Sequence, residues 1–256
     1  MPKSDSELLD YATTLARDAG KEAMSYFRGD LGIEVKADLS PVTIADKAVE
    51  KFVRARLALD FPDDGLFGEE EGAEGLDKAR VWVLDPIDGT RSFLSGYPTF
   101  GFLLALLENG APKIGVVGMP ALNEIYTGMG EVAQLNGSTI QTSSQQELDK
   151  AVLYVNEAEH MRAGDEAVYD RLTQSGATRR FAYDCYPHAL LAAGHIDAVV
   201  DYNLQPYDYL PLCALVEAAG GVISDWEGKP LGLGSDGRVI SAATPELHAQ
   251  LLEVTR

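Results

Sequence analysis

Cysteine is nearly absent. Cys185 and Cys213 stand alone, too few for a disulfide framework and without the paired spacing that holds zinc, so both are expected as buried thiols. Positive charge is also scarce, with 21 Lys and Arg against 40 Asp and Glu and a net charge of -19. Such a surface repels polyanions, which excludes a nucleic-acid groove. Solubility accounts for most of that acidity, and a few carboxylates are left to bind cations. No apolar run approaches the roughly 20 residues of a membrane span. The first twenty residues scatter Asp5, Glu7, Asp10 and Asp18 among apolar ones, unlike a signal peptide. The four histidines, His160, His188, His195 and His248, lack metal-ligand spacing, and Ser92 and Ser95 lack a nucleophile's motif. A cytoplasmic protein without membrane or nucleic-acid partners is expected.

What is present is a chain of 256 residues, 46% hydrophobic, enough for one large domain or two closely packed lobes. Ser4 followed by Glu7 forms a capping-box pattern, and Leu8, Ala12, Leu15, Ala19, Ala23 and Phe27 recur at helical steps until the glycines of 29–32. Residues 36–43 read as extended or loop. A second helix follows from Thr43, marked by Val49, Phe52, Val53 and Leu57, stopping before Pro62 with Asp46 in its first turn. The run 81–84 reads as a buried strand, left through a turn at 85–90. Short apolar runs at 99–107, 113–118, 124–128 and 132–135, split by Asn109-Gly110, Met119-Pro120 and Gly130, predict an antiparallel meander ending at the Asn136-Gly137 turn. Beyond the polar stretch 143–150, strands near 152–155 and 198–202 alternate with helices near 165–174, 187–193 and 211–219. An N-terminal lobe of residues 1–147 and a C-terminal lobe of residues 148–256 are therefore expected.

The segment Asp85-Pro86-Ile87-Asp88-Gly89-Thr90 carries the chemistry. Two carboxylates three apart on a Pro/Gly-shaped turn can converge on one hard cation. Gly89 permits close backbone approach, and the N–H groups of Gly89 and Thr90 are candidates for an anion-binding concavity beside it. Taken alone, Asp-x-x-Asp also reads as a solvated turn or cap. Glu69 and Glu70, after Gly68, read alone as a surface acidic run, and Asp208 reads alone as a helix N-cap.

In this order, Gly68-Glu69-Glu70, Asp85 to Thr90, then Tyr207-Asp208 leading to Glu217-Ala218-Ala219-Gly220-Gly221, the chain resembles the inositol-monophosphatase superfamily. Lys36, Ser40-Pro41-Val42-Thr43 and Ala45-Asp46 extend the resemblance over essentially the whole chain, although Ile44 replaces an acidic residue often found there. The resemblance implies an α+β fold layered α/β/α/β/α, with the metal site between two lobes. It implies two or three Mg²⁺ ions: Glu69, Asp85 and the Ile87 carbonyl on one, Asp85, Asp88 and Asp208 on a second, and Glu70 near a weaker third. Asp46 and Thr90 would orient and deprotonate the attacking water. The substrate would be a small phosphate monoester, and a homodimer is expected.

Within the superfamily, Asp88 to Phe93 followed by Gly96, Asp184-Cys185-Tyr186 followed by 190–195, and Pro206-Tyr207-Asp208-Tyr209 resemble the histidinol-phosphatase branch, while Tyr183 stands where that branch usually has glycine. Histidinol phosphate carries an amine and an imidazole, which an acidic, aromatic pocket suits. Asp184, Asp201 and Tyr186 are candidates for it, with Asp201 also readable as a solvated strand end. His188 and Arg91 are further candidates, His188 for the pocket wall and Arg91 for the phosphate or a partner chain. An inositol or other sugar-like monophosphatase is the nearest alternative. A bisphosphate nucleotide fits less well, for want of a basic pocket. A non-catalytic metal- and anion-binding regulator would not need the Asp46–Thr90 pair.

Overall fold

A computed structural model describes residues 3–29, 34–35 and 41–256; Lys36, Ser40 and the extended reading of 36–40 lie outside them. The two opening helices form as their capping residues dictate. Helix α1 (Asp5–Tyr26) starts at the Ser4–Glu7 capping box and α2 (Ile44–Asp60) at a second box, Thr43 with Asp46. Between them lie the short strands β1 (Glu34–Val35) and β2 (Pro41–Val42).

Strands β3 (Gly65–Gly68), β4 (Gly72–Glu74), β5 (Arg80–Asp88), β6 (Gly101–Glu108), β7 (Ala111–Met119), β8 (Glu124–Met129), β9 (Val132–Leu135) and β10 (Ser138–Ile140) build one sheet in the order β10-β9-β8-β7-β6-β5-β3-β4. The predicted meander is β6 to β9, and beyond the Asn136-Gly137 turn the unexpected strand β10 pairs with β9 and extends it. Within this sheet β3 and β5 are, among the described residues, the one parallel pair. The short helix α3 (Thr90–Ser95) follows β5. The second sheet, β12-β11-β13-β15-β14, joins β11 (Val152–Asn156), β12 (Thr178–Ala182), β13 (Ala198–Asp201), β14 (Val222–Asp225) and β15 (Val239–Ala242). Helices α4 (Ala158–Gly164), α5 (Glu166–Leu172), α6 (Tyr186–Ala192), α7 (Pro206–Ala218) and α8 (Pro245–Thr255) complete the chain.

Alternation along the strands sets the layers. Trp82, Leu84, Phe102, Leu104 and Leu106 face α1 and α2, whereas Val81, Val83, Leu103, Ala105 and Leu107 face the opposite way, onto α6 and α7. The second sheet turns Val199, Ile223 and Val239 to those same helices, and Leu153, Val155, Val200 and Ile240 to α4, α5 and α8. The result is an α/β/α/β/α sandwich, as the resemblance implied. Helix α7 lies in its middle layer, with every residue from Tyr209 to Val216 buried; a helix apolar on all sides belongs inside. Gly115 and Gly128 make room for it, since a Cβ on either would overlap the α7 backbone at Pro211 and Leu215.

Two local expectations are corrected. Strand β5 does not end before Asp85 but runs through Asp88, bulging between Asp85 and Asp88, where the pairing with β6 shifts register. Helix α7 begins at Pro206, five residues earlier than expected, because proline is well tolerated in a first turn. Asp208 is therefore not the N-cap. Gln205 is, and the Asp208 carboxylate accepts its N–H at 2.7 Å.

Candidate active site

Strand β5 delivers the central ligand candidates. Its bulge turns Asp85 and Asp88 toward one point, held by the Ile87 N–H donating to Asp85 Oδ1 at 3.0 Å, while the Ile87 side chain anchors in the core. The N-terminus of α7 brings Asp208 to the same place. Oxygens of Asp85, Asp88 and Asp208 lie within 4.8 Å of one another. Glu69, in the turn between β3 and β4, is tied to β5 by its N–H, 3.2 Å from the Leu84 carbonyl, and lines the same cleft. Glu70 follows it in that turn.

Burial raises the pKa of all three aspartates, and their neighbours add to it: Glu69, Asp88 and Asp208 for Asp85, and Asp184 and Asp208 for Asp88. Asp208 is pushed up to about 7, by burial and then by Glu69, against the lowering effect of the Gln205 N–H. Carboxylates pressed together this way repel one another until a cation lies between them. An all-oxygen donor set of this kind fits a hard divalent ion such as magnesium.

Beside the cage, Thr90 Oγ1 donates to Asp46 Oδ1 at 3.3 Å and lies 3.4 Å from the Ile87 carbonyl. Asp46 is fully buried, and its Oδ2 accepts the N–H and hydroxyl of Thr43, so the capping box of α2 fixes the carboxylate that meets Thr90. Gly89 precedes Thr90 with φ 81°, and a Cβ there would lie 2.5 Å from Asp184 Cγ. Asp184 has φ 61°, accepts the Ser92 hydroxyl at 2.5 Å, and is raised in pKa chiefly by burial. The Cys185 N–H donates to Asp88 Oδ2 at 2.6 Å, joining the second sheet's loop to the cage.

These groups border a cleft of about 500 Å³. Gly89, Thr90, Arg91, Asp184 and Asp208 line it together with Glu69 and Asp88. Three expected wall residues do not. His188 and Asp201 are buried beneath the cleft: His188 Nε2 lies 3.1 Å and Asn156 Nδ2 2.8 Å from Asp201 Oδ2, and His188 Nδ1 lies 2.9 Å from Ser241 Oγ. Asn156 also donates to the Asp184 carbonyl, so this network supports the wall from behind. Tyr186 turns away toward Glu124 and Tyr126. The rim instead includes Tyr97, Glu157, Glu159, His160, Tyr183 and Asn203. Glu157 has φ 45° and lies 3.0 Å from His160 Nδ1. Burial, then Asp201 and Asp184, push its carboxyl up to about 7 against the pull of Arg91. Glu157 and His160 fall in an unremarkable stretch of the sequence: Glu157, at φ 45°, is the N-cap of α4 and His160 lies in its first turns, and that helix start borders the cleft.

The layered fold and its carboxylate cage define a protein of the kind that gathers oxygen ligands at one end of a cleft. A sequence model of the inositol monophosphatase family matches residues 4–256, and the chain belongs to that family of phosphatases. It is 38% identical to a bifunctional phosphatase, IMPL2, of Arabidopsis thaliana, over 98% of this chain and 76% of that protein. It is 37% identical to a histidinol-phosphatase of Chlorobaculum parvum over 90% of each. The solved inositol monophosphatase of Zymomonas mobilis superposes with a TM-score of 0.89 at 37% identity, covering 99% of both chains. Among the described residues no helix is long and apolar enough to cross a membrane.

Proposed function

We propose that this protein is a magnesium-dependent histidinol-phosphate phosphatase, converting L-histidinol phosphate and water to L-histidinol and phosphate. The observation that carries the choice of alcohol is the rim: the carboxyls of Asp184, Glu157 and Glu159 stand together there, framed by Tyr97 and Tyr183, and at a leaving-group end built this way a cation would draw the raised Asp184 and Glu157 carboxyls into their charged forms. A cationic amine and imidazole gain there what a neutral polyol does not. The likeness to the Chlorobaculum histidinol-phosphatase supports the same choice.

In this reading Glu69, Asp85 and the Ile87 carbonyl would hold one magnesium, Asp85, Asp88 and Asp208 would hold a second, and Glu70 would help hold a weaker third or its water. Magnesium supplies acidified water and charge neutralisation for in-line displacement at phosphorus. Asp46 Oδ1 accepts the Thr90 hydroxyl, so as the attacking water gives a proton to the Thr90 oxygen, the Thr90 proton would pass to the Asp46 carboxylate, which ends protonated. The N–H groups of Gly89 and Thr90 hold phosphate oxygens, and Arg91 adds positive charge at the rim. The protein would act in the cytoplasm, in histidine biosynthesis, as a homodimer.

A second reading, an inositol monophosphatase, is favoured by the Zymomonas structure. Phosphate release from L-histidinol phosphate and myo-inositol 1-phosphate, with magnesium, with chelator and with Asp88→Asn, decides between them. Preference for the histidinol ester with both controls inactive is the expected result. Preference for the inositol ester would leave the cage chemistry standing and remove the assignment of the rim.

A further inference from the structure

Helix α2 carries a second carboxylate one turn beyond Asp46. Glu50 is fully buried, a costly position for a charge unless it is paired and hydrogen-bonded. Its partners are specific. Oε2 accepts the Glu70 N–H at 2.8 Å, Oε1 accepts the Glu71 N–H at 2.9 Å, and Arg54 Nε donates to Oε1 at 2.8 Å. Arg54 also donates to the Gly72 carbonyl and approaches Glu71 at 3.6 Å. Gly68 completes the socket, because a Cβ there would overlap the Glu50 carboxylate.

All these contacts converge on the turn between β3 and β4 that presents Glu69 and Glu70. From the other side the same turn is held by the Glu69 N–H on Leu84. Residues four apart share a helix face, so one face of α2 sends Asp46 to Thr90 and Glu50 to the acidic turn. Two successive amide donors on one carboxylate also stiffen a turn whose own acidic side chains repel each other.

We propose that Glu50, backed by Arg54, is a positioning residue for the metal centre, clamping the Glu69–Glu71 turn so that Glu69 meets the Asp85, Asp88 and Asp208 cage. This rests on the reading of Glu69 as a metal ligand. The Glu50 carboxylate grips the main chain of the turn and Arg54, and it acts on the cage only through that turn. Its effect is on metal affinity and not on the displacement itself.

The test compares the full-length wild type with Glu50→Gln, which keeps the shape but puts an amide N–H against an amide N–H, and with Arg54→Gln, which weakens the clamp from its outer side. Binding of Mn²⁺ is read by electron paramagnetic resonance, and the magnesium dependence of phosphate release is read in parallel. Glu50→Gln is expected to raise the metal concentration for half-saturation about tenfold, in the range of lost outer-shell partners, and Arg54→Gln to raise it less. At saturating metal, kcat and the KM for the ester stay close to wild type. Should Glu50→Gln not fold, the Arg54→Gln shift in Mn²⁺ affinity alone decides. Unchanged metal affinity in folded variants, or a loss of kcat that excess metal does not restore, overturns the clamp while leaving the cage intact. A wild type that binds no Mn²⁺ overturns the cage reading and the clamp with it.

Discussion

In the proposed reading, Thr90 and Glu157 divide the cleft's labours at the level of single side chains. Thr90→Val removes the hydroxyl that bridges Asp46 and the cage while keeping its volume. Phosphate release is expected to fall about a hundredfold or more, the usual worth of a positioned proton-transfer group, with Mn²⁺ affinity unchanged in a binding titration. Glu157→Gln removes charge from the rim alone. Under the histidinol reading, kcat/KM for L-histidinol phosphate falls about tenfold, comparable to one charged hydrogen bond, and kcat/KM for myo-inositol 1-phosphate does not. Asp85 and Asp88 were legible as a pair able to converge because Asp85 to Thr90 is compact, whereas Asp208 and Glu69, which alone read as a cap and a surface acidic run, entered only through the family resemblance. The rim was not legible. Asp201 and His188 are polar residues that look available for a ligand, yet the fold buries them together with Asn156, while Glu157 and His160 reach the cleft through a backbone conformation that no composition announces.

Among the elements, α7 and the strands beneath it show why a helix start was misplaced while the layers were read correctly. The apolar stretch 209–216 reads plainly as buried, but Pro206 and Pro211 both invite a boundary, and only packing selects the earlier one. The bulge in β5 was hidden for the same reason: Pro86 and Gly89 signal a turn, whereas pairing resumes with β6 at Asp88. The glycines under α7 provide a test at this scale. Gly128→Ala drives a methyl into the Leu215 backbone, and overpacking of this kind costs about 1–3 kcal/mol, a fall in Tm of roughly 3–10 °C by calorimetry. Gly130→Ala, with open space at its Cβ but φ 60°, separates overpacking from turn strain, and its loss is expected to be the smaller.

Over the whole molecule, charge and metal are linked. Asp208 and Glu157 are both pushed up to about 7, whereas an unfolded carboxylate titrates near 4. Between those values the folded, metal-free chain holds more protons than the unfolded one, so its stability falls as pH rises through that window. The chelated protein should therefore show a lower Tm at pH 7 than at pH 5, and the rise in Tm on adding magnesium should grow from pH 5.5 to 8, because the metal displaces those protons. Scanning fluorimetry with and without chelator checks both slopes. Geometry at this scale constrains motion as well. Because α7 is gripped by a sheet on either side, the two sheets cannot swing apart about it without wetting its entire apolar circumference. The cleft is a fixed jaw, and in the proposed reading a new substrate preference calls for new teeth on its rim and not for a new hinge.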